Sequence, residues 1–147
     1  ISTKLLTKWI SDNEWPSFFN KMVLMFQKEV ADRIIASHNN KKYGRLSVLV
    51  QSRCNVKKIL DAPASIFSPK PKVDGVVIQL KPIEKYSKIN FNNLEKLLEE
   101  SFSSRRKKIK NTLRNYKQSL AKLDIDENLR PENLSVSNYC DLVKLIN

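Results

Sequence analysis

The amino-acid sequence predicts an α/β fold for residues 1–82, followed by a small all-α domain over residues 83–147. Two observations support this division. A run of five apolar residues, Met22–Phe26, has the length of a buried strand and is followed by helical and further strand patterns. From Leu94 onward the apolar residues recur only at helical spacing, after a polar stretch over 82–90 that marks the boundary.

The beginning of the chain is predicted to form a helix, a strand and a second helix. An amphipathic helix opens at Ile1 and ends before Trp15-Pro16, because the residue before a proline disfavours helical backbone. A natural N-terminus seldom begins at a helix cap, so this opening is typical of the middle of a longer fold. The segment Lys21–Gln27 is expected to be a strand buried on both faces of a parallel sheet, and a helix is expected over 28–37.

The remaining elements follow from the same patterns. We expect a helix over 44–54, a strand over 56–60, a proline-rich turn over 62–72 and a strand over 73–81, which is the closing end of an α/β sheet. In the tail, a last helix is predicted over 136–146 with Ser135 as its cap. Two apolar stripes precede it: Leu94, Leu97, Leu98 and Phe102, then Ile109, Leu113, Tyr116 and Leu120.

The positive charge is concentrated in the tail. The net charge is +12, and eight cations with no acidic residue lie between Glu100 and Asp124. If this stretch is one helix, five of the cations fall within an arc of roughly 100°: Arg106, Lys107, Lys110, Arg114 and Lys117. A face of one sign predicts contact with RNA or DNA phosphates. The alternative is compositional drift, since Lys outnumbers Arg by 20 to 7, as in AT-rich genomes.

Phe67 lies in the proline-rich turn, at the end of a predicted strand, where open α/β sheets bind ligands. It suits either of two roles. It is a core aromatic that pins the turn, or it is a stacking platform for an extruded base. The pattern of residues around it leaves both open.

Residue counts exclude several kinds of site from this chain. Two glycines are too few for a GxGxxG or Walker loop, so a cofactor that needs one must be bound by residues outside this chain. Cys54, Cys140 and the single His38 lack the spacing of a zinc site, and the cysteines are predicted to be reduced core residues of a cytosolic protein. No signal peptide or membrane-length apolar run is present, so no membrane partner is expected.

Six sequence blocks occur in a fixed order along essentially the whole chain. They are Ile1–Thr3 opening a helix, Gln27–Val30 with Arg33, Tyr43–Val48, Phe67–Asp74, Phe102 with Arg105–Lys107, and Arg130–Ser135. Together they resemble the KsgA family of ribosomal RNA adenine dimethyltransferases.

The resemblance implies a Rossmann-like methyltransferase domain that binds S-adenosylmethionine, whose C-terminal portion is residues 1–82. It also implies a small helical domain, residues 83–147, that grips RNA. Members of this family dimethylate two adjacent adenines near the 3′ end of small-subunit ribosomal RNA and act in ribosome biogenesis on the 30S-type subunit. We therefore expect a cytoplasmic protein that is a monomer. The family's glycine-rich loop, acidic ribose-binding residue and Asn-Leu-Pro-Tyr tetrapeptide match positions upstream of Ile1, so this chain alone is expected to transfer no methyl groups.

The resemblance also implies roles for single residues. Phe67 matches the aromatic that stacks on the flipped target adenine, and Lys70 and Lys72 flank the mouth of that pocket. The triplet Arg105–Lys107 matches residues that contact the RNA helix beside the target loop. The resemblance also places Arg33 and Arg45 on the rim of the pocket. The remaining cations of the predicted tail face are expected to make further RNA contacts: Lys110, Arg114 and Lys117. Gly75 departs from the family, which usually has Ser there, and this is expected to loosen the strand start slightly.

Two alternatives remain open. Erm-type methylases, which modify large-subunit RNA, share the Ile-Ser-Thr opening and the Pro-Lys-Pro-Lys-Val turn. A non-catalytic RNA- or DNA-binding module of the same fold would share the charge. The blocks Tyr43–Val48, Arg105–Lys107 and Arg130–Ser135 favour the KsgA family over the Erm type.

Overall fold

The computed structural model describes residues 2–12, 14–16 and 18–146, with Ser2 described by its backbone alone, so the predicted opening at Ile1 lies outside the described residues. The helices are α1 (Ser2–Ile10), α2 (Lys28–Ile35), α3 (Arg45–Arg53), α4 (Phe91–Ser101), α5 (Ile109–Thr112), α6 (Lys117–Lys122) and α7 (Val136–Ile146). The strands are β1 (Met22–Gln27), β2 (Cys54–Ala62) and β3 (Gly75–Pro82). Short 3-10 helices cover Ala64–Ile66, Arg114–Tyr116 and Pro131–Asn133. The predicted order, an α/β part followed by helices, is confirmed.

The three strands form one antiparallel sheet in the order β1-β3-β2. Met22 of β1 lies opposite Leu80 of β3, and Cys54 of β2 lies opposite Pro82. The predicted parallel pairing is therefore wrong for the strands described here. The described connection between β2 and β3 contains a short 3-10 helix and no crossover α-helix, and β3 folds back antiparallel to β2 and pairs with β1 along its other edge.

Only one face of β1 is buried. Met22 and Phe26 are 8% and 4% exposed, whereas Val23 and Met25 are 53% and 47% exposed. Because successive side chains of a strand point to opposite faces, the run of five apolar residues covers both sides of the sheet, and the helices described here pack on one. The prediction that both faces are buried is thus wrong for the described chain.

The helices of the tail pack against the α/β part in one hydrophobic core. Helices α4 and α7 contact each other and α3, and buried residues on both sides of position 82 belong to one cluster. The stretch over 82–90, predicted as a polar boundary, buries Tyr86 and Ile89. The division into two domains, residues 1–82 and residues 83–147, stays a prediction.

Two buried tyrosines tie the helical tail together and to the sheet part. The Tyr43 hydroxyl donates to the Leu134 carbonyl oxygen at 2.7 Å. The Tyr139 hydroxyl donates to the Pro131 carbonyl oxygen at 2.7 Å and is 2.8 Å from the Ser101 hydroxyl. These bonds satisfy polar groups in the core, which is why tyrosine rather than phenylalanine suits both positions.

The last helix begins as predicted. The Ser135 side-chain oxygen accepts from the Asn138 backbone N–H at 3.1 Å, and the Asn138 side-chain oxygen accepts from the Ser135 N–H at 2.9 Å. This reciprocal cap fixes the start of α7. None of the helices in the described part of the chain is long and apolar enough to cross a membrane.

Candidate nucleic-acid interface

The turn between β2 and β3 holds Phe67 at the edge of the sheet. The Phe67 N–H donates to the Ala64 carbonyl oxygen at 3.2 Å, closing the 3-10 helix Ala64–Ile66. The Ala64 N–H in turn donates to the Asp74 carboxylate at 2.8 Å, and the Asp74 carbonyl oxygen accepts from the Lys28 N–H at 2.9 Å. Asp74 thus fastens the turn to the first residue of α2, and Phe67 has a fixed place.

Phe67 is half-buried and lines an apolar cleft of about 770 Å³. The other walls come from α1, β1, α2 and the turn, and they include Thr3, Phe26 and Val30. Clefts of roughly 300–1,000 Å³ with mostly apolar walls are typical of sites for small molecules or bases. The ring therefore lines an open cleft rather than the closed core, which favours the stacking interpretation over the pinning one.

A second cleft, of about 690 Å³, adjoins the first through shared walls at Lys72 and Asp74. It contains Lys70 and Lys72, the two lysines predicted at the mouth of the base pocket, together with Lys42. The structure thus brings Phe67, Lys70 and Lys72 onto adjoining clefts, and their roles in RNA binding stay predictions.

A third cleft, of about 580 Å³, gathers the arginines that lie far apart in the sequence. Arg33, Arg45 and Arg105 all line it, beside Lys41 and Lys42. Lys42 also lines the second cleft, so the three clefts join into one surface that runs from Phe67 to Arg105. A concave surface with one dominant sign of charge raises the local concentration of polyanions.

The sequence patterns missed Lys41 and Lys42. Both are exposed, in the segment between the helices predicted over 28–37 and 44–54. The signal that could have identified them is their position: two adjacent lysines directly precede Tyr43–Val48, a block already linked to RNA modification by the resemblance.

Arg105 is bound to the protein itself more than the sequence suggests. Its guanidinium donates to the Lys41 carbonyl oxygen at 3.1 Å and to the Tyr43 carbonyl oxygen at 2.6 Å. It also lies 3.6 Å from the Glu132 carboxylate and over the Phe102 ring, 5.5 Å from its centroid. These contacts explain the glycine at position 44, where a Cβ atom would be 3.2 Å from the guanidinium.

The predicted continuous basic helix over 106–117 is wrong. Helix α5 spans four residues, a 3-10 helix follows, and Lys117 opens α6. The Ile109 N–H donates to the Leu129 carbonyl oxygen, and the Lys110 N–H donates to the Glu127 carbonyl oxygen. In a continuous helix these N–H groups would donate to carbonyl oxygens four residues earlier, so no helix runs from Lys107 into α5. The cations of this predicted face remain exposed on a turn and three short helical segments, and they line none of the three joined clefts: Arg106, Lys107, Lys110, Arg114 and Lys117. Their role in RNA binding stays a prediction.

The buried ionisable groups are structural. Burial raises the pKa of the Cys54 and Cys140 thiols to about 12, so both are inert hydrophobic residues at neutral pH. The Arg53 guanidinium lies between the Trp15 and Phe91 rings, 5.0 and 4.8 Å from their centroids, and burial lowers its pKa. This cation–π stacking compensates for part of the hydration that the guanidinium loses on burial.

The two glycines do not form a cofactor cradle. Gly44 caps α3, and Gly75 opens β3 in register with Gln27 and Ala62. A Cβ atom at Gly75 would lie 3.3 Å from the Phe26 carbonyl oxygen, so the glycine permits close approach of β1 and the strand start is paired on both sides rather than loosened. The strand-to-helix junction at Gln27–Lys28 has no glycine, so the described residues do not fit a dinucleotide-like or S-adenosylmethionine loop.

Known proteins resemble this chain along its full length. Ribosomal RNA small subunit methyltransferase A of Ehrlichia chaffeensis is 46% identical over 152 positions that cover 100% of this chain and 57% of that protein. The protein of the same name from Pelagibacter ubique is 47% identical, covering 98% of this chain and 57% of its own length. This chain therefore spans little more than half the length of these relatives.

Solved structures agree with the fold. A dimethyladenosine transferase from Plasmodium falciparum superimposes with a TM-score of 0.82 at 30% identity, covering 100% of this chain and 63% of that one. The 23S rRNA methyltransferase ErmE superimposes with a TM-score of 0.59 at 17% identity, which shows a shared fold alone. The family model described as ribosomal RNA adenine dimethylase matches residues 1–147, which confirms the resemblance found in the sequence: the chain belongs to that family.

Proposed function

We propose that this chain supplies the base-stacking and RNA-gripping part of a methyltransferase that dimethylates the N6 amine of adenines in ribosomal RNA. The observation that supports this best is the continuous surface from the Phe67 cleft, through Lys72, to the cationic clefts. An enzyme that modifies a base must take it out of its stack and hold the neighbouring phosphates. This surface offers an aromatic ring for the first task and cations for the second.

The target is the RNA of the small ribosomal subunit. Relatives at 46% and 47% identity carry the name ribosomal RNA small subunit methyltransferase A. Two adjacent adenines near the 3′ end of that RNA are the substrate, and the partner is the 30S-type subunit. The protein acts in the cytoplasm as a monomer and takes part in ribosome biogenesis.

The chemistry is divided between this chain and residues that it does not contain. S-adenosylmethionine, when bound, supplies an electrophilic methyl group, and the described residues offer no loop to hold it. The contribution of this chain is positioning. Phe67 holds the plane of the flipped adenine, so that its amine is presented in one orientation instead of many.

A non-catalytic binding module would use the same clefts, and an Erm-type enzyme would use them on large-subunit RNA. The likeness to ErmE at 17% identity supports the fold alone, whereas the small-subunit relatives are far more similar in sequence. The small-subunit enzyme is therefore the better supported function.

The test is a methyl-transfer assay on undermethylated small subunits with labelled S-adenosylmethionine, run beside binding at two salt concentrations. We expect this chain to bind in a manner that weakens with salt and to transfer nothing, while a longer protein that contains it does transfer. Binding by the longer protein without transfer would favour the non-catalytic module. Transfer by this chain alone would contradict the proposed division of the chemistry.

A further inference from the structure

We propose that the loop over residues 38–44, here called the lysine loop, contacts RNA phosphates through Lys41 and Lys42, and that Arg105 is a positioning residue which holds this loop in shape. This inference rests on the proposed RNA-binding function. It differs from the expectation for Arg105, which the resemblance placed among the residues that contact RNA directly.

The lysine loop lies where the joined clefts meet. Lys42 lines both the cleft with Lys70 and Lys72 and the cleft with Arg33 and Arg45, and Lys41 lines the latter. An RNA strand that passes from the Phe67 cleft toward the arginines must therefore cross this loop.

The charges of the two lysines are available to a partner. Among the other cations of this surface, Lys28 pairs with Asp32 at 3.2 Å and Arg33 pairs with Glu29 at 3.1 Å. Lys41 and Lys42 are exposed and take part in no ion pair among the described residues. The remaining carboxylates that line these two clefts are Asp74, which binds the Ala64 N–H, and Glu95.

The backbone of the lysine loop is fixed from within. The Lys42 N–H donates to the Asn40 side-chain oxygen at 2.8 Å, and the Tyr43 N–H donates to the Asn40 carbonyl oxygen at 3.1 Å. Asn39 has a φ of 71°, a conformation that asparagine tolerates better than most residues. The loop thus has one defined turn that presents two adjacent lysines.

The tail fixes the same loop from outside. The Asn39 N–H donates to the Glu132 carbonyl oxygen at 2.7 Å, and the Asn133 side-chain amide donates to the Asn39 side-chain oxygen at 3.0 Å. Together with the Tyr43–Leu134 bond, these contacts attach the loop to the segment over 130–135.

Arg105 completes this attachment through its Nη2 atom, which makes all three polar contacts to the loop and to Glu132. It donates to two loop carbonyl oxygens, those of Lys41 and Tyr43, and its charge faces the Glu132 carboxylate. A guanidinium in this arrangement orders the residues on both sides of Lys42. Ordering the backbone before RNA arrives reduces the entropy lost on binding, which is how a residue without phosphate contact strengthens binding.

The experiment measures the affinity of the full chain for a synthetic RNA hairpin with two adjacent unpaired adenines, over a range of salt concentrations. The variant Lys41→Ala/Lys42→Ala should bind several-fold more weakly, and the slope of log K against log salt should fall by about 0.7–0.9 for each lysine. Lys88→Ala is the control for the loss of one positive charge elsewhere, because Lys88 is exposed and lines none of the joined clefts.

Arg105 is tested by a double-mutant cycle. Arg105→Ala and Arg105→Lys should weaken binding to a similar extent, because lysine keeps the charge but cannot reach both carbonyl oxygens. In the Lys41→Ala/Lys42→Ala background, Arg105→Ala should add little, since the residues it positions are already gone. Circular dichroism checks that every variant is folded.

Three results would overturn the inference. Salt slopes for Lys41→Ala/Lys42→Ala that match Lys88→Ala would exclude the lysines as contacts. Full rescue by Arg105→Lys, with additive losses in the cycle, would make Arg105 an independent phosphate contact. Wild-type protein that shows no salt-dependent binding would overturn the proposed function as well, which separates that failure from the first two.

Discussion

At the scale of single residues, Phe67 shows how local bonds create a functional side chain. Its ring is half-buried in an apolar cleft because Asp74 holds the preceding 3-10 helix against the sheet. With its backbone held in this way, Phe67 loses less conformational freedom on stacking against a base than it would in a mobile loop. The neighbouring Ile66 is 66% exposed and does not line the cleft, which makes it a natural comparison.

We expect Phe67→Ala to lower methyl transfer by the longer protein about 5- to 150-fold in kcat/KM, because base stacking on an aromatic contributes about 1–3 kcal/mol. Phe67→Trp should retain most of the activity, since the stacking face remains. The measurement is steady-state transfer to undermethylated subunits, with Ile66→Ala as the control. Equal losses for Phe67→Ala and Ile66→Ala would refute a stacking role.

The two cysteines predict a loss of stability at alkaline pH. Burial raises the folded-state pKa of Cys54 and Cys140 to about 12, while unfolded thiols ionise near ~8.5. Unfolding is therefore favoured as pH rises from about 9 toward 12, and stability is fully present below that window. Each thiol should cost about 1.4 kcal/mol per pH unit there.

Urea unfolding at pH 8, 9 and 9.5 measures this effect below the pH of about 10 at which tyrosines of the unfolded chain ionise. The variant Cys54→Ala/Cys140→Ala should show a flatter pH dependence, although cavities will lower its stability at every pH. A pH dependence as steep as that of the wild type would show that the thiols are not the cause.

At the scale of elements, the proline-rich turn between β2 and β3 depends on one carboxylate. Asp74→Ala removes the acceptor of the Ala64 N–H, and we expect a loss of about 1 kcal/mol in the free energy of unfolding. Because the same bond holds Phe67, methyl transfer should fall as well. Asp74→Asn keeps an oxygen acceptor and should behave nearly as the wild type does. Transfer unchanged in Asp74→Ala would mean that the prolines alone fix the turn.

The errors in the predicted elements have identifiable causes. Ile109, Leu113, Tyr116 and Leu120 recur at helical spacing, so the periodicity predicts one helix. The break comes from backbone bonds to Glu127 and Leu129, which lie far along the chain and leave no local signal. The prediction that β1 is buried on both faces of a parallel sheet is wrong because a continuous apolar run fits two kinds of strand. It fits a central parallel strand and also an antiparallel strand with an exposed apolar face. Local signals, such as the Ser135 cap, were predicted correctly.

The candidate site was predicted in part for the same reason. Phe67, Lys70 and Lys72 lie within one turn, so a motif could identify them together. Only the family resemblance predicted site roles for Arg33, Arg45 and Arg105. They line one cleft because α2, α3 and the segment after α4 pack together. Lys41 and Lys42 owe their position to bonds between their loop and residues 130–135, and the one signal in the sequence is that they directly precede the block Tyr43–Val48.

At the scale of the whole molecule, two groups of cations in the described part of the chain differ in where they lie. One group lines the joined clefts, and the other is the set of exposed cations on the short segments over 106–117. Charges beside the Phe67 cleft lie where an unpaired base would enter, whereas charges on the tail segments lie outside these clefts. The two groups should therefore differ in the kind of RNA they favour.

We expect Lys70→Ala/Lys72→Ala to weaken binding to a hairpin with unpaired adenines more than binding to a blunt duplex of equal length. The matched pair Lys110→Ala/Lys117→Ala removes the same charge and should weaken both RNAs equally. Binding measured at one salt concentration suffices for this comparison. The same loss on both RNAs for the first pair would remove Lys70 and Lys72 from the base entrance.

The bonds between the lysine loop and the segment over 130–135 also determine when, during synthesis, the loop takes up its folded shape. A ribosome adds residues at about 5–20 per second, so the loop leaves the exit tunnel several seconds before Leu134 and Asn133 are available to hold it. During that interval Lys41 and Lys42 are present without their defined turn. The nascent chain therefore acquires the defined turn of this loop only after residues 130–135 have left the tunnel, and on the proposed function its affinity for RNA rises at that step.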